Sequence, residues 1–189
     1  MIIFKHLQEN SFSIKDFYFN RIKRIFPTSI LVLSFFLVAG WFLLLPDEYS
    51  LLGKHSAASG AFISNFVLWE ESGYFDVDVI YKPLLNFWSL GIEEQYYLIW
   101  PIIIILLWSY NKDIVLMAII FIAILSFILN IFTTVSDAVE AFYSPLTRIW
   151  ELLIGLILAY STLNFQFLKN KSKVLEFVCS GIGLFLILL

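Results

Sequence analysis

Two adjacent carboxylates, Glu93 and Glu94, stand inside residues 83–101, a run that otherwise reads as membrane helix. An ionisable group in a bilayer is costly to keep and marks a functional site by default. A carboxylate in that setting positions a hydroxyl acceptor, orients a base, or is a buried structural group paired with an arginine; on the first two readings Glu93 and Glu94 are the candidate catalytic residues. At helical spacing Asn86, Ser89, Glu93, Tyr97 and Trp100 share one face. Phe87, Leu90, Glu94, Leu98 and Pro101 share a mostly apolar one. Glu93 is therefore expected to point into a polar interior. Pro101 has no backbone donor, which leaves the Tyr97 carbonyl free and permits a kink.

Two arginines come earlier. Arg21 and Arg24 lie at i and i+3, on one helical face at the mouth of the first apolar run. A guanidinium fork suits phosphate, which makes a cytoplasmic acyl-CoA a reasonable ligand. The same pair also fits a positive anchor on lipid headgroups. Arg148 and Glu151, one turn apart, read as an internal ion pair that locks helices together. They belong to a stripe of Ser144, Arg148, Glu151, Gly155 and Ala159, whose small members favour close helix contact. One pocket holding Glu93, Arg148 and Glu151 is expected. His6 and His55 read as solvated or interfacial residues. The sequence offers no metal-ligand set, no glycine-rich phosphate loop and no Ser-His-Asp spacing, and no bound cofactor is expected. The single cysteine, Cys179, excludes an intrachain disulfide.

The elements that must carry these residues are membrane helices. The chain has 189 residues, 60% hydrophobic and only 14% charged, whereas soluble domains are about 25% charged. The fold class predicted is all-α: a multi-pass transmembrane bundle of about five spans plus one interfacial or re-entrant helix. Ser13 and Asp16 mark a helix start. Spans are expected over 28–45, bounded by Pro27 and Pro46, and over 84–108, 114–132 and 145–163. An incomplete one begins near Val174. Residues 56–69 are short and mixed, and are expected not to cross. The basic amino-terminal segment, Lys112, and Lys169, Lys171 and Lys173 then share one side, and the acidic loops 47–82 and 133–143 the other. Lysine and arginine favour the cytoplasm, so the amino terminus is expected there. The two carboxylate sites fall toward the outer half of the bilayer. No basic tract suggests a nucleic acid partner. The whole chain, 1–189, reads as one membrane unit, truncated at both ends, with no signal peptide.

Three stretches, in order, resemble the acyltransferase-3 family of bacterial membrane O-acyltransferases. The first is Phe17-Tyr18 with Arg21-x-x-Arg24-Ile25-x-Pro27. The second is Gly73-Tyr74-Phe75-Asp76 leading into Trp88-Ser-Leu-Gly-Ile-Glu-Glu-Gln-Tyr-Tyr-Leu-Ile-Trp-Pro101. The third is Tyr143-Ser144-Pro145 with Arg148-x-x-Glu151-Leu152-x-x-Gly155. The resemblance covers roughly residues 13–160. Asn86 stands where many members have histidine. The resemblance implies transfer of an acyl group, commonly acetyl, from acyl-CoA to a hydroxyl of lipopolysaccharide, peptidoglycan or another surface glycan, across the bacterial inner membrane. It places the Arg-x-x-Arg pair on the donor side, with membrane lipid and a glycan acceptor as partners. The family's essential histidine lies in a helix that nothing before Phe17 resembles, so the chain by itself is expected to be inactive. A non-enzymatic transporter or scaffold component with an intramembrane ion pair is the alternative.

Overall fold

The structure is a computed structural model and describes residues 2–9, 11–72, 82–110 and 112–164. Among them every regular element is helical. α1 covers Ile2–Gln8 and α2 Ile14–Leu43. α3 covers Pro46–Gly60 and α4 Ser64–Glu71. α5 is Phe87–Tyr110, α6 Lys112–Ser136, α7 Ala138–Tyr143 and α8 Pro145–Asn164. Four stretches are long and apolar enough to cross a membrane: Ile14–Leu43, Phe87–Tyr110, Ile114–Ser136 and Ala138–Leu163. Each overlaps one of the four complete spans expected from the sequence. The incomplete span expected near Val174, and Lys169, Lys171 and Lys173 before it, lie outside the described residues.

α2 starts as its residues dictate. The Ser13 hydroxyl accepts from the Asp16 N–H at 3.2 Å, which satisfies one of the free amides of the first turn. The expected boundary at Pro27 is not observed, because α2 runs straight through it. A membrane helix tolerates proline where neighbouring groups take up the freed carbonyl. The consequence is functional: Arg21 and Arg24 sit on the same rigid rod as the apolar span.

α3 turns back along α2. Pro46 opens it, and the Glu48 carboxylate accepts from the Leu45 N–H at 2.9 Å. Its Leu52 fits into α2 at Gly40, where a Cβ would come within 2.5 Å of the leucine methyl. Residues 56–69 are not one helix, as expected, but two. The break falls at Phe62, whose φ of 56° no helix accommodates. Phe62 stacks edge-on against Phe26 of α2, with centroids 5.6 Å apart.

The tip of this hairpin is pinned to α5. Gln95 donates to the Phe62 carbonyl at 2.8 Å and to Asn65 Oδ1 at 2.9 Å. Asn65, fully buried, donates in turn to the Tyr143 carbonyl at 3.1 Å. Gly91 lets α5 come this close, since a Cβ there would meet the Phe62 carbonyl at 3.2 Å. α3 and α4 are 15 and 8 residues long, too short to cross a membrane, and together they form a helical hairpin. On the other side of α5, Tyr96, Trp100 and Ile104 join Val115, Ile119 and Leu153 in the main core, with α6 against α8.

The hairpin also buries a charged cluster. Lys54 Nζ donates to Glu71 Oε1 at 2.7 Å, His55 Nε2 lies 2.7 Å from Oε2, and Lys82 Nζ 3.8 Å from the same oxygen. His55 is 4% exposed, so it is not the solvated residue expected from the sequence. α3 presents it to α4 rather than to solvent, and a buried imidazole needs the carboxylate it finds. Burial acts to raise the Glu71 carboxyl, but the hydrogen bonds from Lys54 and His55 outweigh it and hold the group below the usual carboxylate range. A carboxyl depressed on folding adds stability above its unfolded value and loses it as pH falls through the folded one. The thermal midpoint should therefore drop on acidification from about pH 4 downward, and Glu71→Gln should flatten that limb. A limb unchanged in the variant would remove Glu71 from the account.

Candidate functional site

One turn of α2 docks onto the middle of α5. The Tyr18 hydroxyl donates to the Leu98 carbonyl at 2.6 Å. One turn further along, the Arg21 guanidinium carbon lies over the Tyr97 ring, 3.1 Å from its centroid, and its Nη2 donates to Glu94 Oε1 at 3.4 Å. Both side chains of the pair are largely buried, at 19% and 14% exposure. The contact is a single long hydrogen bond, not the bidentate fork that gives arginine–carboxylate pairs their strength. Most of the anchoring therefore comes from the stack on Tyr97.

This geometry reverses the order of the two glutamates. Glu93 is exposed and Glu94 is turned inward. Tyr97 lies one turn from both of them. Which carboxylate is interior depends on the side from which α2 brings Arg21.

Three cavities meet at Arg21. The first, of about 350 Å³, is polar and lies beside the start of α2, with His6, Asp16, Asn20, Arg21 and Arg24 on its walls. The second, of about 460 Å³, runs between α2, α5 and α8 and is lined by Arg21, Tyr97, Trp100, Glu151 and Gly155. The third, of about 420 Å³, separates α2 from the hairpin tip and holds Tyr18, Phe62, Glu94 and Gln95 as well as Arg21. Phe17 is shared by the first two and Tyr97 by the last two.

The expected pocket of Glu93, Arg148 and Glu151 does not form. Glu151 alone of the three lines the second cavity. Arg148 is held elsewhere, 4.8 Å from the Trp88 ring and 4.9 Å from the Phe142 ring, with Glu151 3.8 Å away as the expected turn-spaced partner. The cation thus rests against two aromatic faces as well as the carboxylate. Gly155 also differs from expectation. A Cβ there would meet nothing within 4 Å, so the glycine widens the cavity instead of seating a neighbouring helix. His6 had no sequence signal at all. It lines the first cavity together with residues of the start of α2, and its Nδ1 lies 3.0 Å from the Ser11 hydroxyl. Among the described residues no cluster of His, Cys, Asp or Glu has the arrangement of a metal site.

The arrangement can hold an anionic group at Arg24 and Asn20 and place an uncharged group in the apolar space behind Arg21. Comparison with known proteins bears on what those groups are. No family model matches the chain, and no solved structure does. A Haemophilus influenzae protein, named only as uncharacterized, is 36% identical over 181 residues, which are 92% of this chain and 72% of that protein. A Staphylococcus aureus protein provisionally named an O-acetyltransferase is 30% identical over 90% of this chain. The peptidoglycan O-acetyltransferase of Listeria monocytogenes is 30% identical over 81% of it. The chain spans 29% and 25% of the length of these last two. It belongs to the same family as the Haemophilus influenzae protein and is an O-acetyltransferase-like membrane protein.

Proposed function

We propose that this chain is the donor-binding part of an acyltransferase-3 enzyme of the bacterial inner membrane, with its amino terminus in the cytoplasm. The donor is acetyl-CoA and the acceptor a hydroxyl of a cell-surface glycan. The observation that carries the reading is a cavity with Arg24, Arg21 and Asn20 on its wall, which shares Arg21 and Phe17 with a second cavity lined largely by apolar side chains. A nucleotide thioester has that same polarity: phosphates at one end, a short acyl group at the other. The names of the staphylococcal and Listeria relatives support the acetyl group.

In the reaction the acceptor oxygen forms an ester bond to the acetyl carbon while the carbon–sulfur bond breaks. The thiol of CoA leaves with the proton that a base has taken from the hydroxyl. Resemblance assigns that base to a histidine on a helix with no counterpart among these residues. Here Arg24 and Asn20 would hold phosphate, and Glu94 holds Arg21 rather than the acceptor.

The direct test is titration of the chain, in lipid nanodiscs, with acetyl-CoA. Saturable binding that weakens with salt is expected, because it rests on charge. Binding that is absent, or unchanged in Arg24→Ala, would overturn the assignment of the donor site.

A further inference from the structure

Among the described residues Glu151 is the one carboxylate on the wall of the cavity between α2, α5 and α8. Its side chain is about half-exposed. Its partner Arg148 belongs to the same helix, so the carboxylate ties no second helix to α8. From Arg148 Nε to Glu151 Oε1 is 3.8 Å, beyond hydrogen-bond reach, and the Nε has no partner among the described residues. The pair is therefore electrostatic. Charge holds the carboxylate in place, and both of its oxygens are left to accept. The charge is itself fixed, because the guanidinium rests against Trp88 of α5 and Phe142 of α7. Arg21, on the same cavity wall, lies about 10 Å along α2 from Ile14, and Glu151 about 9 Å along α8 from Pro145. In the orientation proposed above, Arg21 is thus reached from the inner side and Glu151 from the outer.

We propose that Glu151 recognises the acceptor sugar, and that Arg148 is the positioning residue that holds Glu151 for it. This rests on the acetyl-transfer reading given above. A sugar ring carries neighbouring hydroxyls, and a carboxylate with two free oxygens accepts from a pair of them by charge-assisted bonds. Those two hydroxyls bind and do not react. Another hydroxyl of the ring is left to face the cavity, where the acetyl group is received. The cavity is half open, which gives the ring a way in. The glycerol of a lipid headgroup carries the same pair of hydroxyls, so the test separates the two sources.

The experiment uses the whole chain in phosphatidylcholine nanodiscs, with methyl β-glucoside as the probe. A water-soluble carbodiimide and an amine convert exposed carboxylates to amides, and peptide mass spectrometry reads Glu151 and Glu93 separately. Glucoside at about twice its dissociation constant should slow modification of Glu151 about threefold, since about two-thirds of the sites are then filled. Glu93, exposed on α5, should react at an unchanged rate. Arg148→Ala should remove the protection of Glu151, and Arg148→Lys, which keeps the charge, should restore part of it. Full protection in Arg148→Ala, whatever its thermal midpoint, overturns the role of Arg148. No slowing at Glu151, or equal slowing at Glu93, overturns the sugar site; acetyl-CoA binding in the same discs would leave the donor reading standing. Slowing at Glu151 without any acetyl-CoA binding supports the sugar site and overturns the donor reading instead. Protection by glycerol at the same concentration as the glucoside overturns the sugar and assigns the site to a lipid headgroup.

Discussion

Replacing Asn65 with leucine is expected to destabilise the protein by about 3 kcal/mol. Asn65 is wholly inaccessible and joins three elements at one point. Its Oδ1 accepts from Gln95 on α5, and its Nδ2 donates to the Tyr143 carbonyl at the end of α7. Leucine has a similar volume but removes both bonds. The Tyr143 carbonyl loses the side-chain donor that ties it to the hairpin, and the Gln95 amide keeps only the Phe62 carbonyl. A polar group left unpaired in a dry interior costs more than a hydrogen bond gains, about 1–3 kcal/mol each. The leucine methyls would also press on α5 at Gly91, where Asn65 Oδ1 already stands 3.3 Å from the position of a Cβ. Thermal unfolding in detergent measures the loss. Adding Gln95→Leu should cost less than the two single changes summed, because both act on one network. A loss below about 0.5 kcal/mol, the range of a surface substitution, would mean that the hairpin tip is not held by these bonds.

The second large effect is expected on donor affinity. Arg24→Ala should weaken acetyl-CoA binding by about 10- to 100-fold, the range that follows from losing one hydrogen bond to a charged group. Its thermal midpoint should stay put, because Arg24 is exposed and supports no other element. Arg21→Ala should lower affinity and stability together, since it also removes the stack on Tyr97 and the pairing with Glu94. Lysine should rescue position 24 only in part: it keeps the charge and loses the planar fork. Glu93→Gln, at an exposed site, should leave both quantities unchanged, whereas Glu94→Gln should not. Calorimetric titration of the five variants checks the set. Equal losses of stability in Arg21→Ala and Arg24→Ala would return both residues to a lipid-anchoring role.

The contrast between Glu93 and Glu94 shows where sequence reasoning stops. Span positions were legible because apolar length is a local property: about 20 residues are needed to cross, and four runs have them. The Ser13 start was legible because a cap bonds amides two or three residues away. The spacing of Arg21 and Arg24 put them on one helix face for the same reason. Nothing local distinguishes the two glutamates. α5 is apolar over most of its surface, and the stripe of Asn86, Ser89, Glu93 and Tyr97 that suggested an interior is too weak to fix which side faces inward. Its inward carboxylate is whichever one α2 reaches, and that depends on contacts made far along the chain.

The same holds for the other corrections. His55 sits in a segment of small and polar residues that looks interfacial, and only the return of α4 beside α3 buries it against Glu71. The break at Phe62 falls on a residue that rarely adopts positive φ, and it is held there by Gln95, Gly91 and Phe26. Gly155 looked like a packing glycine and lines a cavity instead, because among the described residues nothing comes within 4 Å of a Cβ placed there. From its sequence alone this protein was a helical membrane protein with charged residues at set positions. Its tertiary structure decided which of those charges meet, since a helix specifies the spacing along its own axis but not the side from which a neighbour arrives.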